Sequence, residues 1–387
     1  MSKRTRLAAG GSLLAIALSL AGTAVATAAP AHLPAPSPVV GHDYVDDNTA
    51  TTNTIAAFDR HADGSLTPEA GSPFAIGGAG LGSGLGSQGA IQAGPDGRFL
   101  LAVDAGSNQI SVLRLTGHGV PEQVGAPVSS GGVRPVSIAV SRAGLVYVAN
   151  TGDGGSNYAG FRLTPSGRLI PIPGDTVAVP AGSGVGDILF NATGDRLAAT
   201  RVSTQLIDSF TVSRDGKLVA ATGSPFPAQA AGPFGSEFRP TDPSQLFVSN
   251  AHAGTGNGTV SAFHDGRDGV LTSIGSSPYA DEQTAPCWVE ISNDGRYLFA
   301  VNTAAATISR FAINPSGSLV LLGSTPFKDG TGAVDARLSP DGRTLSVTGG
   351  SGHVLSSFAV HGGNLTELAG SPIALPADSS PSGLVLN

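Results

Sequence analysis

Residues 285–327 read APCWVEISNDGRYLFAVNTAAATISRFAINPSGSLVLLGSTPF, and this stretch decides the fold. Apolar runs of strand length alternate with turn sequences, in the order strand, D-G-R turn, strand ending in Val-Asn, loop, strand ending at Phe, P-S-G turn and strand. The apolar residue before the last turn recurs at Phe58, Leu113, Phe161, Phe210, Phe263, Phe311 and Phe358. These positions are 55, 48, 49, 53, 48 and 47 residues apart. Four short strands in such a period are typical of a β-propeller.

Six complete repeats can be delimited, and a seventh is divided between the two ends of the chain. The complete repeats begin at Gly89, Arg134, Gly184, Pro233, Ala285 and Ala333. The N-terminal segment 39–74 supplies outer strands but lacks an inner strand with its turn. The C-terminal PSGLVLN matches the inner-strand phrase PCWVEIS at 286–292. The sequence therefore predicts an all-β, seven-bladed propeller over residues 41–387, with the last strand closing the first blade and removing free sheet edges.

Residues 1–28 have the pattern of a secretory signal peptide. Lys3, Arg4 and Arg6 precede the apolar stretch LLAIALSLAGTAV. Ala26-Thr27-Ala28 is a small-residue cleavage site, and Ala24-Val25-Ala26 is the alternative. The apolar stretch is short for a membrane span. Residues 29–40 are a Pro/Ala-rich lead-in. We therefore expect a secreted, extracellular protein without membrane insertion.

Composition narrows the function classes. The net charge is −7, and −10 without the three basic residues of the leader, so an acidic surface argues against nucleic acid as a partner. Cys287 is the single cysteine, so no internal disulfide is expected and stability must come from packing between blades. Seven blades use the whole length and leave no separate catalytic domain. We expect a monomer.

Three polar side chains are predicted on the upper face, where the loops follow the second strand of each blade. Arg134 and Arg201 are candidates for binding a carboxylate, because a guanidinium binds planar oxyanions through two hydrogen bonds. The alternative for both is an ion pair at the surface or between blades. His252, in a Gly- and Asn-rich loop, is a candidate general base or a solvated side chain.

A second candidate site lies on the inner strands. Aligned on the D-G turn, Glu237, Glu290 and Arg337 come from consecutive blades and share one level near the central channel. Asp187 and Asp335 lie two residues earlier in their strands. One hypothesis is a polar channel site in which a Glu has a raised pKa. The alternative is a structural Glu–Arg–Glu network that joins the last three blades.

Other chemical motifs are missing from the sequence. There is no pattern of paired His or Cys at metal-ligand spacing and no nucleotide-binding or nucleophile-elbow motif, so we expect neither a metal nor another cofactor. The segment GGAGLGSGLGSQG at 77–89 resembles a phosphate-binding loop. A strand follows it rather than a helix, so it is interpreted as a flexible loop between blades.

The mature chain resembles the seven-bladed propeller lactonase family, which includes propeller-type 6-phosphogluconolactonases and carboxymuconate-cyclising enzymes. The resemblance is carried by RPVSIAVSRAGLVYVANTGDGGS at 134–156, GPFGSEFRPTDPSQLFVSN at 232–250 and LSPDGRTLSVTG at 338–349. It implies the propeller fold, a lactone hydrolase or a related lactonising activity, and no cofactor.

Few of the family's active-site residues have an identical counterpart in this sequence. The family's His-Pro before the third blade corresponds to Arg134-Pro135, and its G-P-R-H corresponds to residues 232–235, Gly-Pro-Phe-Gly. The Glu and Arg that follow Val-Asn in its fifth and sixth blades correspond to Ala251 and Thr303. Arg201 is the counterpart of the fourth-blade Arg.

Two functions remain open from the sequence. The first is a lactonase-like enzyme that hydrolyses a small extracellular lactone or sugar lactone. Arg201, His252, Glu237 and Glu290 are its candidate catalytic residues, and Arg134 and Arg337 are its candidate substrate-binding residues. The second is a non-catalytic propeller that binds a cell-wall, glycan or protein partner.

Overall fold

The computed structural model describes residues 37–328 and 332–387. The predicted signal peptide and residues 29–36 of the lead-in lie outside these ranges. The first strand begins at Val39, so the last two residues of the predicted lead-in belong to the propeller. The described ranges contain no helix long and apolar enough to cross a membrane.

Seven antiparallel sheets confirm the predicted all-β, seven-bladed propeller. The strands are β1 (Val39–Asp46), β2 (Thr54–His61), β3 (Leu66–Pro68), β4 (Phe74–Ala75), β5 (Ile91–Ala93), β6 (Phe99–Asp104), β7 (Gln109–Leu115), β8 (Pro121–Gln123), β9 (Val128–Ser129), β10 (Pro135–Val140), β11 (Leu145–Asn150), β12 (Asn157–Leu163), β13 (Leu169–Ala178), β14 (Val185–Phe190), β15 (Arg196–Arg201), β16 (Leu206–Val212), β17 (Leu218–Ala220), β18 (Phe226–Pro227), β19 (Pro233–Arg239), β20 (Asp242–Asn250), β21 (Thr259–Asp265), β22 (Leu271–Ser273), β23 (Tyr279–Ala280), β24 (Pro286–Ile291), β25 (Tyr297–Asn302), β26 (Thr307–Ile313), β27 (Leu319–Pro326), β28 (Ala333–Leu338), β29 (Thr344–Gly349), β30 (Val354–His361), β31 (Asn364–Glu367), β32 (Ile373–Ala374) and β33 (Gly383–Leu386).

Each blade is a sheet whose strands follow one another from the axis outward. Blade 1 has the order β33, β1, β2 and β3, with β4 also paired to β2. Blades 2 to 7 are formed by β5–β9, β10–β13, β14–β18, β19–β23, β24–β27 and β28–β32. The turns between inner and second strands define the lower face, and the loops after the second strands define the upper face.

The ring is closed by the last strand, as the split repeat predicts. β33 pairs with β1 in an antiparallel register that places Leu384 opposite Val45 and Leu386 opposite Asp43. Without β33, blade 1 would lack its inner strand and β1 would present a free edge to the axis. Closure therefore joins the two ends of the propeller in one sheet.

The recurring apolar residues belong to the third strand of each blade and form the core between blades. All seven are buried, the most exposed being Phe263 at 4%. At the closure, Val45, Phe58 and Leu384 of blade 1 pack in one cluster with Leu355 of blade 7. The periodic residues therefore lie where neighbouring blades pack against each other.

Replacing the buried Leu384 by Ala is expected to lower the free energy of unfolding by about 2–4 kcal/mol, because it leaves a cavity where the ring closes. Urea unfolding of the purified protein measures this change. Val320→Ala, on the half-exposed outer face of blade 6, is the control and should change stability by less than about 0.5 kcal/mol. Equal effects of the two substitutions would contradict the role of β33 in closure.

Candidate functional site

A cavity of about 330 Å³ lies on the propeller axis. Its lining comes from inner strands and their lower turns, and it includes Asp187, Glu237, Glu290 and Arg337. Ala192 and Pro240 line it where inner strands turn into second strands, so it extends toward the lower face. This is the position at which the inner strands of neighbouring blades approach one another.

The structure brings together the inner-strand residues that the repeat alignment placed at one level. Arg337 Nη1 lies 3.1 Å from Glu290 Oε2, in an ion pair between blades 7 and 6. Glu237 Oε2 accepts a hydrogen bond of 2.9 Å from the backbone N–H of Ile291, next to Glu290. All three side chains line the cavity.

Carboxylates on the inner strands accept backbone hydrogen bonds across successive blade junctions. Each receives an N–H from the inner strand of the following blade. The bonds are Ser236 N to Asp187 at 2.9 Å, Ile291 N to Glu237 at 2.9 Å, Leu338 N to Glu290 at 2.8 Å and Leu384 N to Asp335 at 3.0 Å. Inner strands are edge strands whose outward-pointing N–H groups need partners when buried. These carboxylates therefore have a structural role at the blade junctions.

Two groups in the cavity retain unused hydrogen-bonding capacity. Among the described residues, none donates to Glu237 Oε1, and none accepts from Nε or Nη2 of Arg337. These atoms are not sealed from solvent. By contrast, both oxygens of Asp187 and both oxygens of Glu290 already accept hydrogen bonds. Glu237 and Arg337 can therefore bind a ligand without losing a bond that holds the blades.

Burial controls the protonation of the cavity. Burial, and after it the neighbouring Glu290 carboxylate, raises the pKa of Glu237 well above its usual value. Burial also raises the pKa of Glu290, which Arg337 partly offsets. Burial raises the pKa of Asp187 to about 7, although Ser236 and Ser137 hydrogen-bond to it. A carboxyl that loses water but gains little positive charge favours its neutral form.

Ser87 and Gln88, near the end of the Gly-rich segment 77–89, close the upper end of the axis, whereas residues 82–84 of this loop between blades are exposed. Ser87 and Gln88 are buried. Ser87 Oγ donates to Val136 O at 2.7 Å, and its carbonyl accepts from Trp288 Nε1 at 2.9 Å. Gln88 Nε2 donates to Val289 O, and Gln88 Oε1 accepts from Val289 N. The segment thus connects blades 3 and 6 across the axis, which glycine composition alone could not indicate.

Aromatic side chains reinforce this upper closure. Phe234 and Trp288 stack edge to face with ring centroids 5.3 Å apart, and both are buried. Phe234 stands where the family pattern G-P-R-H has its Arg. An apolar contact therefore replaces a cation at this place.

The three upper-face candidates do not meet at the axial cavity. The Arg201 guanidinium forms a twofold ion pair with Asp208, with Nε and Nη2 at 2.5 and 2.6 Å from the two carboxylate oxygens. Tyr158 of blade 3 donates to the same carboxylate at 2.7 Å. Arg134 and His252 are exposed, and the His252 ring packs against Gly232. Arg201 therefore belongs to a buried ion pair between two strands of blade 4, neither at the surface nor between blades, and the roles proposed for all three residues stay predictions.

The fold and cavity define a seven-bladed β-propeller with a polar axial site. Residues 200–337 match the model of the family described as lactonase, 7-bladed β-propeller. This match confirms the predicted resemblance to the propeller lactonases. A sequence comparison with curated proteins finds no significant match.

Solved structures with similar folds cover nearly the whole propeller. A periplasmic gluconolactonase of Pseudomonas aeruginosa is 20% identical with a TM-score of 0.72, covering 89% of this chain and 98% of its own. A candidate 6-phosphogluconolactonase of Bacteroides uniformis is 20% identical with a TM-score of 0.71, covering 90% and 99%. One from Bacteroides fragilis is 18% identical with a TM-score of 0.68, covering 92% and 99%. At such identities the likeness establishes the fold.

The raised carboxyl pKa values predict that the protein is more stable at pH 5 than at pH 8. The pKa of Asp187 is about 7 and that of Asp335 about 6 in the folded protein, against 3.8 for an ordinary Asp. The folded state therefore holds more protons than the unfolded state between about pH 4 and 7, and stability falls as the pH rises through this range. Thermal unfolding across pH 5–8 measures the trend.

Asp187→Asn should reduce the difference in stability between pH 5 and pH 8, because it removes one titrating carboxyl. The exposed Asp215→Asn is the matched control and should retain the full difference. Stability that increases from pH 5 to pH 8 would contradict the protonation assigned to the axial carboxyls.

Proposed function

We propose that the protein hydrolyses a small lactone in the axial cavity. This proposal is carried by two groups that remain available to hydrogen-bond a ligand. They are a carboxylate oxygen, Glu237 Oε1, and one edge of a guanidinium group, Nε and Nη2 of Arg337. They line one cavity in a fold of the lactonase type. A base beside a cationic hydrogen-bond donor is the arrangement that ester hydrolysis requires.

The reaction assigns one role to each group. Arg337 donates hydrogen bonds to the lactone carbonyl oxygen and stabilises the negative charge that develops there. Glu237 removes a proton from water as the water oxygen attacks the carbonyl carbon. When the ring C–O bond breaks, protonated Glu237 returns that proton to the leaving alkoxide. Water is consumed, the product is a hydroxy acid, and Glu237 is regenerated.

The raised pKa of Glu237 suits the first half of this sequence, the removal of a proton from water. A carboxylate of ordinary pKa is a weak base toward water, and a raised pKa makes it a stronger one. The same shift lets the protonated form of Glu237 persist to higher pH, and this is the form that returns the proton to the alkoxide. Burial beside Glu290 is the physical source of the shift.

The charge of the cavity favours an uncharged substrate. Its lining has one cation, Arg337, against the carboxyls of Asp187, Glu237 and Glu290. A phosphorylated lactone would need clustered cationic donors, and Arg337 is the single cationic side chain in the described lining. We infer that a neutral lactone or unphosphorylated sugar lactone binds more tightly than a sugar lactone phosphate. A volume of about 330 Å³ is at the small end of ligand sites.

A non-catalytic propeller remains the second candidate. It is supported by the structural use of the axial carboxylates, since Asp187, Glu237, Glu290 and Asp335 all bind backbone N–H groups of the next blade. On this proposal the cavity is a by-product of blade joining, and an outer surface binds a glycan or protein partner.

We also propose that the protein acts outside the cytoplasm as a monomer. The basis is the leader pattern of residues 1–28. The P. aeruginosa protein of similar fold is described as periplasmic, which agrees with a location outside the cytoplasm. Expression of the full chain should yield an exported product whose N-terminus follows Ala26 or Ala28, as N-terminal sequencing after cell fractionation would reveal. An intact Met1 on a cytoplasmic product would contradict export.

Glu237→Gln is expected to lower kcat for lactone hydrolysis by at least about 100-fold, because it removes the general base while keeping the shape of the side chain. The assay measures proton release from gluconolactone, its 6-phosphate and muconolactone above the spontaneous rate. The wild-type kcat/KM should rise with pH through the raised pKa of Glu237, since the base must be ionised. This rise should disappear in the variant.

The exposed Glu122→Gln in blade 2 is the matched control and should keep wild-type activity. Arg337→Lys keeps the charge but loses the planar donor pair, so it should also lower kcat. Circular dichroism of each variant identifies any loss of folding. Wild-type protein that accelerates none of the lactones would support the binding propeller instead.

A further inference from the structure

Blade 1 carries a cluster of potential metal ligands outside the axial cavity, in which lactone hydrolysis is proposed above. His42 of β1 stands directly opposite Asp59 of β2 in the strand register. Glu69 follows β3, and its backbone N–H donates to Ala57 O of β2. Two neighbouring strands and the residue after a third thus present one imidazole and two carboxyl groups, whose nearest ligand atoms all lie within 4.8 Å of one another.

The tautomer of His42 is determined by its neighbours. The backbone N–H of His42 donates to Asn387 Oδ1 at 2.8 Å, which identifies that atom as the amide oxygen. The same oxygen lies 3.1 Å from His42 Nδ1. Since an amide oxygen only accepts, Nδ1 must carry a proton. Metal-binding histidines are commonly oriented by such a bond at the nitrogen that does not bind the metal.

The other ring nitrogen faces a carboxylate. His42 Nε2 lies 3.4 Å from Asp59 Oδ1. If the ring is neutral, its lone pair points toward another acceptor, which is unfavourable unless a cation lies between them. If the ring is protonated, the contact is an ordinary ion pair. The two states make different predictions for metal binding.

The carboxyl groups lack a permanent cation. The nearby Arg60 is committed to Asp43, with Nε at 3.0 Å from Oδ1. Among the described residues that line the surrounding cavity, none is Lys or Arg. A dication would supply the missing positive charge.

The cluster opens onto a cavity of about 770 Å³ that shares no lining residue with the axial cavity. Its far wall is the blade 2 turn of residues 116–119, which includes His118. Gly119 is necessary there, because a Cβ at this position would lie 2.2 Å from His42 Nε2. Its carbonyl accepts a hydrogen bond of 2.7 Å from the buried Tyr44 hydroxyl, which positions the turn. The turn therefore packs closely against the edge of the His42 ring that carries Nε2.

We propose that His42, Asp59 and Glu69 bind one divalent transition-metal cation of the Zn²⁺ or Mn²⁺ class. One imidazole with two carboxylates suits these ions, whereas Ca²⁺ and Mg²⁺ prefer oxygen ligands alone. Three protein ligands leave coordination positions open toward the cavity, as in sites where a metal binds water or a small ligand. The site does not depend on lactone hydrolysis at the axis.

Isothermal titration of tag-free, EDTA-treated full-length protein with Zn²⁺ and separately with Mn²⁺ tests the proposal. We expect one saturable equivalent in the wild type. His42→Ala and Asp59→Asn should each weaken binding at least tenfold, since each removes one ligand. His264→Ala is the matched control, because His264 occupies the position in blade 5 that corresponds to Asp59 in blade 1 and is exposed. It should bind like the wild type.

Metal content measured by mass spectrometry after gel filtration checks the stoichiometry independently of heat signals. Asp59→Asn preserves size and tests the ligand without removing the ring, so a folding defect in His42→Ala does not decide the result. No saturable binding in the wild type, or binding that survives both ligand substitutions, overturns the proposal and leaves His42 and Asp59 as an ion pair.

Discussion

The inner edge of each blade is the constraint on which the rest of the structure depends. Seven sheets point their innermost strands at one axis, where backbone N–H groups face one another rather than a further strand. Buried donors without partners are costly, so the axis must supply acceptors. The chain supplies carboxylates, each reaching from one inner strand to the N–H groups of the next, from blade 4 through to blade 1.

The clustering of carboxyl groups at the axis is electrostatically unfavourable. The same clustering changes their pKa values and so affects the chemistry that is possible there. Four carboxyls at the blade junctions have a single guanidinium, Arg337, among them. Burial by itself lowers the pKa of Arg337, but Asp335, Glu290 and Glu237 outweigh that effect and raise it, so Arg337 stays charged. The carboxyls shift the other way, toward their neutral forms. Burial thereby raises the pKa values of structural acceptors, and acid–base catalysis also uses raised carboxyl pKa values.

Ring closure has a second consequence at the C-terminus. β33 completes blade 1, and the residue that follows it, Asn387, hydrogen-bonds to both the backbone and the ring of His42. The strand that removes the free edge of β1 thus also orients the imidazole of the proposed metal site. The two ends of the propeller are combined in one sheet and in one side-chain cluster.

The sequence by itself determined the architecture, the number of blades and the manner of closure. Repetition supports this, because each of the seven units has the same alternation and turn residues, and one unit is visibly split between the ends. Repeat alignment also placed Glu237, Glu290 and Arg337 at one level, since equal positions in equal blades lie at equal heights.

Only the tertiary structure decided which side chains contact one another at each level of the propeller. Gln88 reaches Val289 across some two hundred residues, and no local pattern predicts that contact or the closure of the upper end. Arg201 pairs with Asp208 in the neighbouring strand, whereas its position after the second strand had suggested a ligand site. His42, Asp59 and Glu69 have no metal-binding spacing, because cross-strand pairing rather than sequence distance makes them neighbours. Periodicity specifies which backbone positions are equivalent, but side-chain partners depend on how the blades are joined around the axis.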